Sequence, residues 1–308
     1  MLTMQKVPLS VYLKLICVAL FWGGTFIAGR IVSQEIPHMI AAAGRFLVAC
    51  LFLLILAWRV EGGLPRLTNQ QKLATLGLGF TGIFLYNICF LAALERMPAG
   101  RSALFVSLSP IVTALSMAIF FRERLGLMKW LGIAIAFIGA TVVLTRGELI
   151  HAMHAIAQTI GSGELFMLGA VCAWTAYTIL GKQALKGLSP IAATTYASLW
   201  GLLLLTLGAI PQWPELELRR LSWQVISAIA FLGIFGTVLG FVWYYEGVKI
   251  LGPARTAVFN NLVPVFGVLL SSLILKETIL TSMLIGGALV ILGVSLTNRQ
   301  IKTDAGLK

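Results

Sequence analysis

Aromatic, amide and hydroxyl side chains inside long apolar segments are the residues of this sequence best suited to chemistry. Aromatic rings stack on an apolar ligand, and amides or hydroxyls orient its polar end. An amide inside an apolar span also needs a hydrogen-bond partner. The candidate ligand-binding residues of this kind are Trp22, Tyr86, Asn87, Ser107, Trp174, Tyr177, Trp243, Tyr244, Asn260 and Asn261. Their types predict a binding site for a small amphipathic molecule.

Tryptophan and tyrosine have a second interpretation, because they concentrate at the two interfaces of a membrane. Four tryptophans at the edges of apolar segments fit such a belt: Trp58, Trp130, Trp213 and Trp223. Trp243 and Tyr244 also lie near an edge, so the ligand site and the belt both stay open for them. The spacing of Trp174, Tyr177 and Thr178 places them on one helix face, which favours the ligand site.

Arg45 is the one strong base well inside an apolar segment. A charge at the centre of a membrane helix costs about 2.5 to 3.5 kcal/mol on insertion scales, so it needs a carboxylate, carbonyl groups or water. Binding a substrate carboxylate is one interpretation, and anchoring helix packing or snorkelling outward is the other. We expect no acidic residue deep in any segment and therefore no obvious proton relay, Glu246 being the nearest candidate.

Composition indicates an integral membrane protein. Of the 308 residues, 59% are hydrophobic and 11% charged, whereas about a quarter of a soluble protein is charged. The net charge is +12, and the basic residues lie between apolar runs instead of on one face. We therefore expect the partner of these residues to be anionic lipid and not nucleic acid. Four cysteines without ligand-like spacing are expected to be buried small hydrophobic residues: Cys17, Cys50, Cys89 and Cys172.

Ten apolar spans of about 20 residues, the length that a bilayer requires of a helix, are predicted. They lie near 11–31, 37–59, 72–94, 99–121, 127–145, 163–182, 190–211, 222–245, 254–275 and 281–298. Most Lys and Arg residues fall on the side that carries the N-terminus, which predicts that both termini are cytoplasmic.

The chain contains an internal duplication. The stretch 101–139 returns as 255–293 at an offset of 154 residues, with Pro110 matching Pro264 and Glu123 matching Glu277. Since each half holds an odd number of spans, the second half is inverted relative to the first, as in many transporters. We expect a first five-helix repeat over 1–145, a linker over 146–162, and a second repeat with a short cytoplasmic tail over 163–308.

The paired prolines are predicted hinges, and the paired glutamates are predicted helix caps or surface ion pairs. Pro110 and Pro264 are expected in mid-helix, where each removes a backbone hydrogen bond and kinks the span. Glycines at packing spacing, such as Gly236 and Gly240, are expected to bring helices close together.

These features resemble the EamA-type, ten-helix members of the drug/metabolite transporter superfamily. The resemblance rests on the ten spans, the Trp22-Gly23-Gly24 start, Arg45 in the second helix, and the proline and glutamate blocks around Pro110 and Pro264. It implies a multi-pass inner-membrane secondary transporter that works by alternating access. It further implies export of small amphipathic metabolites, and is nearest to bacterial exporters of aromatic and neutral amino acids.

Two other classes are weighed against this one. A transporter of phosphorylated or otherwise anionic metabolites needs several cations, and the chain offers mainly Arg45, with Lys182 and Arg255 near edges. A membrane-embedded enzyme needs a nucleophile, a metal cluster or an acid pair, and the sequence has no HExxH motif. We therefore predict no catalytic residue, no metal and no cofactor. The expected partners are a small-molecule substrate and membrane lipid, and the oligomeric state stays open, compatible with a monomer.

Overall fold

The structure, a computed structural model, describes residues 8–298 except 107, 110, 113–114, 117–118, 120–125, 145–160, 185–186 and 252–257. All regular elements in this part of the chain are helical. The first half forms α1 (Leu9–Glu35), α2 (His38–Glu61), α3 (Asn69–Leu78), a π-helical segment (Gly79–Leu85), α4 (Tyr86–Arg96), α5 (Ala99–Val106) and α6 (Leu127–Leu144). The second half forms α7 (Ser162–Ala184), α8 (Pro190–Ala209), α9 (Trp223–Gly233), a second π-helical segment (Ile234–Leu239), α10 (Gly240–Leu251), a 3-10 turn (Val258–Asn261), α11 (Leu262–Leu275) and α12 (Thr281–Asn298). Short 3-10 turns at Ile210–Glu215 and Leu218–Arg220 join α8 to α9.

Six of the described helices are long and apolar enough to cross a membrane, and three shorter apolar helices accompany them. They match predicted spans at every position but the fourth, 99–121, of which the structure describes only part. The third and eighth spans each consist of two α-helices joined without a break by a π-helical segment.

Short polar side chains fix where several helices begin. Ser189 accepts a hydrogen bond from the Ala192 amide at 3.0 Å, one residue before Pro190 opens α8. Thr68 and Gln71 form a reciprocal capping box at the start of α3. Each bond satisfies a backbone amide that has no partner inside the helix.

Contacts between α6 and α12 display the inverted symmetry of the two halves. A Cβ atom added to Gly139 would lie 2.6 Å from the carbonyl oxygen of Gly286, and one added to Gly293 would lie 2.5 Å from that of Gly132. These four glycines form two pairs related by the 154-residue offset. Because rising numbers on one helix meet falling numbers on the other, the equivalent helices pack antiparallel. The predictions of an inverted repeat and of close glycine packing are confirmed here.

The two π-helical segments occupy equivalent places in the halves, a feature that the sequence analysis missed. Gly79 and Gly82 of the first segment correspond to Gly233 and Gly236 at the same offset of 154. A Cβ on Gly82 would lie 2.1 Å from the Tyr177 ring, and a Cβ on Gly236 would lie 2.6 Å from the Thr25 methyl group. Single π-helical turns are frequent at functional sites, and a glycine of each segment packs against the other half of the chain.

The prediction that the paired prolines lie in mid-helix is wrong for Pro264. It is the third residue of α11, which starts only after a 3-10 turn, so its missing amide falls in the first turn of the helix. That amide would have no partner within the helix in any case. Pro110 lies outside the described residues, and a hinge at either proline stays a prediction.

One ion pair was not predicted, and one expectation about an individual side chain is wrong. Glu164 lies in the first turn of α7, at the end of the sixth span, buried with only 7% of its side chain exposed, and it pairs with Arg101 of α5 at 2.9 Å. This ion pair joins the two halves of the chain. Cys172 is exposed on the helix surface and not buried, whereas Cys50 is buried as expected. The apolar pattern predicts where a span lies along the chain, but it does not predict which way each side chain points around the helix.

Glu277 caps a helix of the opposite half, which bears out its predicted role as a cap. Its two carboxylate oxygens accept hydrogen bonds from the amides of Ala99 at 3.0 Å and Gly100 at 3.2 Å, the first residues of α5. We expect Glu277→Ala to lower the unfolding free energy by about 1 kcal/mol, as for other lost N-terminal caps.

Thermal unfolding of purified protein in detergent measures this effect. The matched control is Glu215→Ala, because Glu215 is exposed in a connecting turn. Equal melting temperatures for the two variants would contradict a stabilising cap.

Candidate functional site

Arg45 lies buried near the middle of α2 and donates hydrogen bonds to both halves of the protein. One terminal nitrogen donates to Asn87 Oδ1 at 3.0 Å. Nε and the other terminal nitrogen donate to Thr237 Oγ1 at 3.3 and 3.2 Å. Asn87 is the second residue after the first π-helical segment, and Thr237 lies within the second π-helical segment. The guanidinium thus bridges the equivalent spans of the two repeats.

The two acceptors are themselves held by the π-helical segments. The Asn87 amide nitrogen donates to the carbonyl oxygen of Ile83 at 2.6 Å. The Thr237 hydroxyl donates to the carbonyl oxygen of Leu232, five residues earlier, at 3.0 Å. A bond over five residues is the spacing of a π-helical turn, so the irregular backbone positions the hydroxyl that Arg45 contacts.

An aromatic cluster beside Arg45 contains most of the predicted ring side chains. Its members are Trp22, Tyr86, Trp174, Tyr177, Phe241 and Tyr244. Trp174 lies in the middle of it, with ring centroids 5.5 Å from Tyr86, 5.3 Å from Tyr177 and 6.1 Å from Phe241. The cluster continues to Trp22, whose ring lies 5.9 Å from Phe241 and 5.3 Å from Tyr244. These separations are typical of favourable ring pairs.

Hydrogen bonds and chain neighbours connect the aromatic cluster to Arg45 at both ends. Trp22 Nε1 donates to the carbonyl oxygen of Gly236 at 3.1 Å, and the next residue is Thr237. At the other end, Tyr86 directly precedes Asn87, which accepts a hydrogen bond from Arg45. The result is a closed ring of contacts with one cation and several aromatic faces.

The structure brings together eight of the predicted site residues. Seven form the ring and the cluster described above: Trp22, Arg45, Tyr86, Asn87, Trp174, Tyr177 and Tyr244. Asn260 joins them through a side-chain hydrogen bond with Tyr244. Ser107 lies outside the described residues, as does the side chain of Asn261.

Trp243 does not join the cluster, and Thr178 does not either. Trp243 packs against Phe21, with ring centroids 5.8 Å apart, and Phe21 in turn packs against the exposed Phe235. Successive helical residues are about 100° apart around the axis, so Trp243 and Tyr244 face different surroundings. Thr178 is exposed, although it shares a helix with Trp174. The exposed positions of the four proposed belt tryptophans agree with that interpretation.

Sequence reasoning missed Thr237 and Phe241. Phe241 could have been predicted from the sequence, because it lies 154 residues after Asn87 and therefore occupies the equivalent position in the second repeat. Trp22 and Trp174 are likewise equivalent, at an offset of 152. Thr237 corresponds to Ile83, so the repeat gives no signal for it. Across the described ranges, no group of three or more potential metal ligands comes together.

Comparison with known proteins identifies a transporter family. The model of the EamA-like transporter family matches residues 9–145 and 161–299. The chain is 31% identical over 287 residues to the uncharacterized transporter YyaM of Bacillus subtilis, covering 93% of this chain and 92% of the relative. It is 26% identical over 289 residues to a probable terminal-alkyne amino-acid exporter of Streptantibioticus cattleyicolor, with 93% and 92% covered.

A solved crystal structure shares the fold. It superposes with a TM-score of 0.67 at 18% sequence identity, covering 94% of this chain and 98% of the other. Together with the two family matches, this confirms an all-helical membrane protein with ten helices.

Proposed function

The chain belongs to the EamA-like transporter family, and we propose that it is a secondary exporter of small amphipathic metabolites, foremost amino acids with hydrophobic or aromatic side chains. As a member of this family it is a multi-pass membrane transporter and not an enzyme. We place it in the inner membrane with both termini in the cytoplasm, on the distribution of Lys and Arg along the sequence.

The observation that carries this proposal is a buried arginine beside an aromatic cluster. Arg45 has hydrogen-bond donors that match a carboxylate, and Trp174 and its neighbours present ring faces for an apolar group. A ligand with both features, such as an aromatic amino acid, has a partner for each end. The relative named as a probable amino-acid exporter supports the same substrate class.

Alternating access is the mechanism that we propose, because the site lies between the repeats. Trp22, Arg45, Tyr86 and Asn87 come from the first half, and Trp174, Thr237 and Phe241 come from the second. A substrate bound there touches both halves, so rocking one half against the other exposes it to either side in turn.

Transport of phosphorylated metabolites is the second candidate. Arg45 is the observation in its favour, since a buried guanidinium also binds phosphate. The ring of contacts described above contains no second lysine or arginine, and a phosphate dianion carries more charge than one guanidinium neutralises. This candidate is therefore the weaker one.

Transport by purified protein in liposomes tests the proposal. We expect saturable movement of labelled phenylalanine and alanine, and no movement of a sugar phosphate. Trp174→Leu keeps an apolar side chain but removes the ring that contacts three neighbouring aromatic residues. Since one ring stacked on the ligand contributes about 1 kcal/mol, we expect the variant to lower the phenylalanine rate about fivefold.

Trp223→Leu is the matched control, because Trp223 is exposed at the start of α9. Equal losses in the two variants would count against the aromatic cluster as the binding surface. Movement of the sugar phosphate alone would replace the proposal with the second candidate.

A further inference from the structure

We propose that this site selects its ligand by net charge and binds an amphipathic acid that carries one negative charge more tightly than the matching zwitterionic amino acid. The preferred ligands are aromatic or branched carboxylates with a 2-hydroxy or 2-oxo group in place of the ammonium group. This inference rests on the proposed function and names a narrower substrate class for the same site.

None of the carboxylates of the described residues forms a hydrogen bond or ion pair with Arg45. They belong to Glu35, Glu61, Glu95, Glu164, Glu215, Glu217, Glu246 and Glu277. Four of them pair with a lysine or arginine other than Arg45: Glu95, Glu164, Glu217 and Glu246. Glu95 lies beside His38, Glu61 accepts from Ser189, and Glu277 caps α5. Glu35 and Glu215 are exposed.

The remaining acidic residues fall outside the ten predicted spans. Glu123 follows the fourth predicted span, Glu148 falls in the predicted linker, and Asp304 falls in the tail. Among the described residues, the hydrogen-bond partners of Arg45 are Asn87 and Thr237, and both are neutral. The described part of the site therefore carries the positive charge of Arg45 until a ligand brings a negative one.

The Arg45 guanidinium has N–H donors that are available to a ligand carboxylate. A guanidinium has five N–H groups, and three hydrogen bonds to described residues engage one on Nε and one on each terminal nitrogen. One N–H on each terminal nitrogen is left for a ligand. Two such donors on one plane match the two oxygens of a carboxylate.

The acceptors shown at this site are neutral, and each already accepts a hydrogen bond from the protein. Asn87 Oδ1 and Thr237 Oγ1 accept from Arg45, and the Gly236 carbonyl oxygen accepts from Trp22. A ligand ammonium group brings three donors and a positive charge. It would lie next to an arginine and, among the described residues of the site, would meet neutral oxygens and ring faces but no carboxylate, so its removal from water is only partly compensated.

Charge balance then ranks the ligands. A single carboxylate makes a neutral pair with Arg45, a zwitterion leaves one positive charge in the site, and a phosphate dianion leaves one negative charge. In surroundings of low dielectric constant an uncompensated charge is strongly disfavoured. A monocarboxylate is therefore the favoured class.

Binding of a matched ligand series tests this inference on the purified full-length protein. The series is 3-phenyllactate, phenylalanine, phenethylamine and phenyl phosphate, in which the first two differ only by hydroxyl against ammonium. We expect 3-phenyllactate to bind at least about tenfold more tightly than phenylalanine, and phenethylamine not to bind, because one uncompensated buried charge is worth at least that factor. Phenylalanine binding as tightly as 3-phenyllactate, or more tightly, overturns the inference and leaves the proposed function standing. If none of the four compounds binds or is transported, the proposed function fails too.

A charge change beside Arg45 provides the second test. Asn87→Asp places a carboxylate on the atom that Arg45 already contacts, and Thr237→Asp does so on the other side. Either variant neutralises the site, so we expect the ratio of the two dissociation constants to fall about tenfold or to reverse in favour of phenylalanine. Gln224→Glu adds the same charge at an exposed position of α9, and we expect it to leave that ratio unchanged. An unchanged ratio in a folded Asp variant contradicts selection by charge, and the wild-type series decides if neither Asp variant folds.

Discussion

Replacing Arg45 by methionine is expected to abolish carboxylate transport while leaving the folded protein at least as stable as the wild type. Transport is lost because Arg45 supplies the charge of the proposed site and its two donors toward the ligand. Charge-assisted hydrogen bonds contribute about 1.5 to 3 kcal/mol each, so we expect transport to fall about 100-fold or more.

The effect on stability follows from the partners of Arg45. Asn87 keeps its hydrogen bond to Ile83, and Thr237 keeps its bond to Leu232. Asn87 Oδ1 loses the donor that Arg45 supplies, which costs about 1 to 3 kcal/mol for a buried acceptor. The charge that is removed has no carboxylate partner in the portion that the structure describes, and a charge inside a span costs about 2.5 to 3.5 kcal/mol. We therefore expect the variant to be as stable as the wild type or more stable by about 1 to 2 kcal/mol.

Transport assays and thermal unfolding of the same preparations separate the two effects. Arg59→Met is the matched control, since Arg59 is exposed in the last turn of the same helix. We expect that variant to transport normally. A strongly destabilised Arg45→Met would instead make Arg45 a structural brace between the repeats, which was the alternative interpretation of its sequence.

Sequence alone predicted the features of this fold that the bilayer itself dictates. A hydrocarbon core demands apolar spans of fixed length, so the spans could be counted, and duplicated spacings such as that of Pro110 and Pro264 revealed the repeat. Positions related by the repeat offset, such as Trp22 and Trp174, also come together, because both rings pack against Phe241.

The direction in which side chains point around a helix could not be predicted in the same way. Both sides of a membrane helix are apolar, so the hydrophobic pattern does not separate Trp243, which packs against Phe21, from Tyr244, which joins the cluster. A π-helical turn changes the direction around the helix axis of the side chains that follow it, and no residue type in the sequence predicts such a turn. Thr237, whose hydroxyl is held by one, was missed for this reason.

Glu164 shows a different limit. A carboxylate near a span boundary is expected to reach water, yet Glu164 is buried because Arg101 from the other half meets it. That partner is separated from it by dozens of residues in sequence, and only the packed structure brings the two together. Pairings between the halves are therefore the part of the fold that a single sequence reveals least.

Adding a single methyl group where α6 crosses α12 is expected to destabilise the protein strongly. A Cβ on Gly286 would lie 2.6 Å from the Gly139 carbonyl oxygen and 3.1 Å from the Val143 amide nitrogen. These are backbone atoms, so no side chain can rotate away to relieve the overlap. The two helices must separate instead, along a seam that joins the two repeats.

We therefore expect Gly286→Ala or Gly139→Ala to lower the unfolding free energy by about 3 kcal/mol, at the upper end of the range for overpacked sites. Gly181→Ala is the matched control, because the structure places no atom within 4 Å of its added Cβ. In a helix this exchange is expected to be stabilising by about 0.5 to 1 kcal/mol. Because the two seam variants strain one contact, their effects should not add in the double variant. The stability of the four variants is compared by their melting temperatures in detergent. If Gly286→Ala or Gly139→Ala is as stable as Gly181→Ala, the repeats do not meet through this glycine contact.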